Sequence, residues 1–311
     1  MRRCEILGIL FCLFALLSCM GNPSFAMADR VIAITIDDPH TLETPLLDPV
    51  RRDERIRAAL QKHQAQAVLF VCGKRVDDPA GTRLLESWNS DGHLMANHSY
   101  SHNSLNSKKV TLDQYSDDYD KGQAIVARFV SDFKFFRFPY LKEGNSIAKR
   151  DGFRDFLRSR GAQIGYVTID ASDWAIDDRL RKRLSDDPGA SLEAYKNFYL
   201  KHISDRANYY ESLAKRTLGF DVSHVLLLHH NLLAALFLDD LLVELKKQGW
   251  SIEKPQQVYS HSVFQREPKT LPAGESLIWA LAKESGKFDA ELRYPGEDEI
   301  YERDAMDKAG L

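Results

Sequence analysis

Short, nearly continuous apolar runs recur along the chain, each closed by polar, Gly or Pro residues. They are VIAITI (31–36), AVLFV (67–71), HLMAN (93–97), FKFFRF (133–138), IGYVTI (164–169), HVLLL (224–228) and WSI (250–252). Runs of this length without polar alternation suit strands buried on both faces. Between most of them the apolar positions change to helical spacing. Residues 51–63 place Ile56, Ala59, Leu60 and His63 in register, and 112–131 place Tyr115, Tyr119, Ile125, Val126 and Phe129 among charges. Residues 237–248 repeat Leu238, Leu241, Leu242 and Leu245 and stop before Gly249. Alternation of this kind predicts an α/β fold with a parallel sheet. Seven strand candidates favour barrel-like closure.

Two segments leave the alternation. Residues 177–222 are charged and helical in pattern, with Leu192, Tyr195, Phe198, Tyr199 and Ile203 as an apolar stripe. They are expected to be a helical insertion. Residues 261–311 are expected to form a C-terminal extension packed on or near a single domain spanning 29–260, with one helix at 274–285. No internal repeat or low-complexity linker divides the chain.

The first residues read differently. Arg2 and Arg3 precede an apolar stretch from Ile6 to Met20, and Ala26-Met27-Ala28 stands before Asp29. This is the pattern of a signal peptide, residues 1–28, cleaved after Ala28. The stretch falls short of the about 20 apolar residues that span a bilayer, so no stable membrane span is expected after cleavage. Leu16-Leu17-Ser18-Cys19 offers a lipoprotein alternative. Export to the periplasm or the exterior follows in either case. The net charge of −3 and the lack of a basic patch interleaved with aromatics argue against nucleic acid as the main partner. Three of the four cysteines lie in the leader. Cys72 alone remains, so neither an internal disulfide nor a Cys-based metal site is expected.

The candidate chemistry stands at the ends of the apolar runs. Asp37-Asp38 closes the first, and Pro39 is expected to restrict Asp38 to extended geometry. His98 and His102 follow HLMAN; on a helical turn this spacing would put both on one face. One carboxylate and two imidazoles suit a divalent metal, with a second carboxylate beside them. Arg137 stands within an aromatic run, followed by Pro139 and Tyr140, and needs a carboxylate or substrate to face. Asp170 and Asp173-Trp174 follow IGYVTI, and His229-His230 follows VLLL. A strand-end histidine backed by a carboxylate is a natural general acid. All five groups would gather at the carboxyl end of successive parallel strands, where active sites assemble.

The order of these motifs resembles the polysaccharide deacetylases, the NodB-type carbohydrate esterase family 4. Its patterns T-F-D-D, H-S/T-x-x-H/D, R-x-P-Y, D-x-x-D-W and L-x-H are read here as Thr35–Asp38, His98–His102, Arg137–Tyr140, Asp170–Trp174 and Leu227–His229. The resemblance covers roughly residues 30–260. It implies a distorted parallel (β/α)7-type barrel and metal-dependent removal of N- or O-acetyl groups from a glycan. It further implies that Asp38, His98 and His102 hold the metal, usually Zn2+, with Co2+ or Ni2+ as alternatives. Asp37 would be the base, held by Arg137, and His229 the acid, tuned by Asp173. Pro139 and Tyr140 would serve the oxyanion and substrate, and Trp174 and Leu227 would line the acetyl pocket. Pro39 stands where the family usually has Gly, and His230 competes with His229 for the acid role. A glycan-binding protein without catalysis, and a non-haem iron oxygenase with a His/His/carboxylate site, are the alternatives. An oxygenase of that kind favours an antiparallel jelly-roll.

Overall fold

The computed structural model describes residues 30–129, 133–292 and 299–311. The expected signal peptide and the Cys19 alternative lie outside the described residues. Chain order is β1 (Arg30–Asp37), α1 (Pro49–Lys62), β2 (Ala67–Val71), α2 (Pro79–Ser90), β3 (Leu94–Asn97), α3 (Leu112–Val126), β4 (Phe135–Phe136), β5 (Lys142–Gly144), α4 (Ile147–Ser159), β6 (Gln163–Ile164), α5 (Asp173–Asp186) and α6 (Glu193–Leu218). Then follow β7 (His224–His229), α7 (Leu232–Lys247), β8 (Trp250–Ile252), α8 (Pro255–Tyr259), β9 (Ala273–Gly274), α9 (Leu277–Ser285) and α10 (Glu299–Lys308).

Seven parallel strands form one sheet in the order β6-β4-β3-β2-β1-β7, with β8 added to the start of β1. The 163–169 segment touches both ends of that order. Gly165 N–H donates to Phe136 O (2.7 Å), and Leu227 N–H donates to Ile169 O (3.1 Å), where Ile169 bridges Leu226. The sheet therefore curls into a distorted parallel barrel of the (β/α)7 type. β1 and β2 lie at its centre, and Ile32, Ile34, Ile36 and all of β2 are buried. Burying such side chains stabilises by about 1.5–3 kcal/mol each, which is why these β-branched runs take the middle. The helices start where polar residues cap them: Asp48 accepts from Arg51 N–H, Asp78 from Gly81 N–H and Asn231 from Ala234 N–H.

Some expected elements are shorter. Of FKFFRF only Phe135–Phe136 joins the ladder, because the chain turns at Pro139 after Arg137 N–H has bonded to Asn97 O. Of IGYVTI only the first residue pairs regularly, because the segment leaves one strand to reach another. The helix expected over 112–131 ends at Val126. The charged stretch at 177–222 resolves into the rest of α5 and the long α6. In the extension, α9 is buried along Leu277–Ala282, and β9 pairs antiparallel with β5.

Register decides what meets at the carboxyl end. Asp37 stands directly across from Phe70 on one side and from His229 on the other. Asn97 stands across from Val71. Each motif therefore leaves its strand at the same level.

Candidate active site

Arg137 is 1% exposed, and its guanidinium is fully engaged from four sides. Nη1 donates to Asp37 Oδ1 (2.5 Å) and Thr35 Oγ1 (2.9 Å), Nε to Gly165 O (2.9 Å) and Nη2 to the Tyr259 hydroxyl (3.1 Å). Its plane lies over the Phe70 ring at 3.7 Å. Burial raises the Asp37 carboxyl to about 7, against the pull of Arg137 and His229.

Asp38 follows with φ 59°, a left-handed conformation and not the extended one expected before Pro39. Its N–H is held by Phe70 O at 3.1 Å, so the backbone turns at once. Oδ2 lies 3.3 Å from His102 Nε2 and Oδ1 3.3 Å from Arg75 Nε. Burial pushes this carboxyl up, yet His98, His102 and Arg75 outweigh it and leave it below its ordinary value.

His98 and His102 do not lie on a helical turn. They sit on an irregular loop after β3, with φ 64° at Ser99 and 57° at His102. Asp118 on α3 anchors that loop by accepting from Tyr100 N–H and Ser101 N–H, and Asn97 Oδ1 accepts from Ser99 N–H. α3 approaches so closely that a Cβ on Gly122 would lie 2.6 Å from Asn97 Oδ1. The turn brings the two rings to 5.0 Å between centroids, with no help from helical periodicity.

The donor set fits a divalent cation. His98 Nδ1 lies 2.8 Å from Arg137 O, which can only accept, so the proton is on Nδ1 and the lone pair on Nε2. That lone pair faces Asp37 Oδ2 at 3.6 Å. Burial, foremost, holds the ring near 3, so a proton does not reconcile lone pair and carboxylate. Asp38, His98 and His102 offer one ligand atom each, all within 4.8 Å of one another.

His229 closes the opposite side. Its Nδ1 lies 2.6 Å from Asp173 Oδ1, and Asp173 Oδ2 accepts from His229 N–H (3.0 Å) and Asn231 Nδ2 (3.1 Å). Burial would lower the imidazole, but Asp173, Asp37 and Asp38 raise it to about 9. His230 points elsewhere: Nε2 meets Asp53 Oδ1 at 3.1 Å, beneath Trp88.

Asp37, Asp38, His98, His102 and His229 line a pocket of about 600 Å³, while Arg137 and Asp173 are buried outside its lining. Trp174 and Tyr140 line it while partly exposed, and Leu227 lines it while buried. Tyr140, φ 58°, stacks edge-on against His102 at 4.5 Å. Pro139 is buried behind this turn and does not line the pocket. Arg75, Tyr259 and Asp118 escaped the sequence reading, because nothing in their spacing marks them. Asp170 lines the pocket too, and burial raises it to about 6.

A family model described as polysaccharide deacetylase matches residues 26–155. The chain is 25% identical over 205 residues to the peptidoglycan-N-acetylmuramic acid deacetylase PdaA of Bacillus subtilis (strain 168), covering 64% of this chain and 63% of that protein. The chain thus spans less than two thirds of this curated relative's length. Among solved structures, the Bc1960 peptidoglycan N-acetylglucosamine deacetylase is similar at TM-score 0.50 and 20% identity, over 74% of this chain and 87% of that one. A mutant of BA3943, a CE4 family pseudoenzyme from Bacillus anthracis, is similar at TM-score 0.50 and 19% identity, over 74% and 67%. At these identities the structures speak for the fold alone.

Proposed function

We propose that the chain, which is similar to the polysaccharide deacetylases, hydrolyses acetyl groups from an acetylated glycan, with Zn2+ as the favoured metal and Co2+ or Ni2+ as alternatives. The observation that carries this reading is the register that sets Asp37 opposite His229 on adjacent strands, with Asp38, His98 and His102 beside them. A base and an acid thus flank one metal-type donor set in one pocket.

Asp38, His98 and His102 would hold the cation. When bound, a divalent cation supplies Lewis-acid polarisation of the acetyl carbonyl and acidifies water. Asp37 accepts the proton of the water whose oxygen bonds to the carbonyl carbon. Arg137 keeps that carboxylate aimed. His229, protonated and oriented by Asp173, gives its proton to the leaving nitrogen or oxygen as the bond to carbon breaks. Acetate and a free amine or hydroxyl result. General acid–base help of this kind contributes about 100- to 10,000-fold. Trp174 and Leu227 provide apolar surface for the acetyl methyl, and the Tyr140 backbone is assigned to the oxyanion.

Peptidoglycan, chitin oligomers and poly-N-acetylglucosamine are the substrates to test. Export, to the periplasm or beyond, belongs to the same proposal and rests on residues 1–28. Among the described residues no helix is long and apolar enough to cross a membrane. The oxygenase alternative expects an antiparallel jelly-roll, whereas the main sheet here is parallel.

The test is acetate release across these glycans with added zinc, cobalt or nickel, and Asp37→Asn as control. Release by wild type and its loss in the variant are expected. If wild type releases none while both proteins bind glycan equally, a silent binding protein is the correct reading.

A further inference from the structure

The loop that carries Asp173 is held from behind by two elements outside the strand–helix alternation. His202, on α6, is buried, and its Nε2 hydrogen-bonds to the carbonyl of Ala171. Glu302, on α10, is also buried, and its Oε2 lies 3.4 Å from His202 Nδ1. A carbonyl only accepts, so His202 Nε2 carries hydrogen. Nδ1 faces the Glu302 carboxylate, which also only accepts, so the two contacts together call for a ring that carries hydrogen on both nitrogens, an imidazolium held between carbonyl and carboxylate.

Ala171 is fully buried. Its carbonyl heads a strained turn. Ser172 follows with φ 47°, ψ 36°, left-handed for a residue with a side chain, and has no side-chain capping bond to α5. Asp173 comes next and makes its bonds to His229 and Asn231. Trp174 then faces the pocket. A buried carbonyl left without its partner is destabilised on the same scale as the strain at one such residue. The Ala171 bond is thus of the size needed to keep the turn.

We infer that His202 and Glu302 are positioning residues for the acid side of the site: the Glu302–His202–Ala171 chain holds the Ser172 turn and thereby aims Asp173 at His229. The long α6 and the C-terminal α10 then have a role in the site without touching substrate. The catalytic consequence rests on the deacetylase reading above; the geometric one does not.

The experiment uses the full chain with His202→Leu, His202→Gln and Glu302→Ala. Two readouts are taken: steady-state acetate release, and the NMR signal of the His229 Nδ1 proton bound to Asp173. His202→Leu is expected to lower kcat about 10- to 100-fold, the scale for a misplaced catalytic group, with KM within about twofold of wild type, and to shift or broaden the His229 signal. His202→Gln, whose amide can still donate to Ala171 O, is expected to recover both. Glu302→Ala is expected to fall between. A folded His202→Leu with wild-type kcat and an unmoved His229 signal overturns the inference. Should that variant not fold, an unmoved His229 signal in Glu302→Ala overturns it instead. If wild type releases no acetate, the deacetylase reading fails, and the NMR signal alone decides the positioning role.

Discussion

Arg137 and Asp37, a hundred positions apart in sequence, meet at 2.5 Å in the interior, and both are almost wholly buried. The carboxylate that faces the metal-type donors on one oxygen is tied to a guanidinium on the other. Removing one partner of such a pair leaves an uncompensated buried charge, at about 3–5 kcal/mol. Arg137→Met is therefore expected to lose about that much stability in urea denaturation and at least about 100-fold in acetate release. Arg137→Lys, which keeps charge but not the four-sided fork, should fall between. Equal stability of Arg137→Met and wild type would show that the pair is not what holds Asp37.

Metal should bind the folded protein at Asp38, His98 and His102. A ligand at about 100 times its Kd stabilises by about 2.7 kcal/mol. Zinc is expected to raise the melting temperature of wild type and a chelator to reverse it, with neither effect in His98→Ala or His102→Ala. Full metal occupancy in either variant, by elemental analysis, would sink the ligand assignment.

The pH dependence follows from two groups. Asp37, near 7, works only after losing its proton, so kcat/KM should rise as pH passes through that value. His229, near 9, works only while protonated, so kcat/KM should fall as pH passes through it. A bound cation would draw both limbs to lower pH. Asp173→Asn removes the main group raising His229, and the alkaline limb should move down by about one unit or more. An alkaline limb that stays in place in Asp173→Asn would separate it from His229.

Away from the site, His93 is buried against Trp88, and its Nδ1 accepts from Ala67 N–H at 3.2 Å. Burial, foremost, lowers it from 6.5 to about 4. Its folded value is below its unfolded one, so its contribution is complete above about 6.5 and is lost as pH falls toward 4. The loss amounts to about 3 kcal/mol. His93→Asn should make the urea midpoint less sensitive to pH between 7.5 and 4.5; an identical slope would assign the acid sensitivity to other groups.

Much of this was legible in the chain itself. VIAITI and AVLFV could be read as central strands because continuous apolar runs of that length have no polar face to expose. The ends of VIAITI, HLMAN and HVLLL marked Asp37, Asp38, His98 and His229 because polar residues there leave the sheet together. FKFFRF and IGYVTI misled as to length, since an apolar run records burial and says nothing about where its ladder partner ends. His98 and His102 also misled: their spacing invites a helical turn, but the Asp118 carboxylate and the close approach at Gly122 shape a loop instead.

By itself, then, the sequence determined the parallel strand–helix alternation, the family resemblance and the residue types that could share one site, because periodicity and motif order are local properties. Only the tertiary structure decided that Asp38 turns left-handed before Pro39 and that Tyr259 completes the Arg137 shell. It alone separated His229 from His230, by the carboxylate each meets: Asp173 beside the pocket, Asp53 beneath Trp88. It alone brought α6 and α10 against Ala171. Those outcomes depend on long-range register and on which buried donor meets which buried acceptor, and no spacing along the chain encodes that.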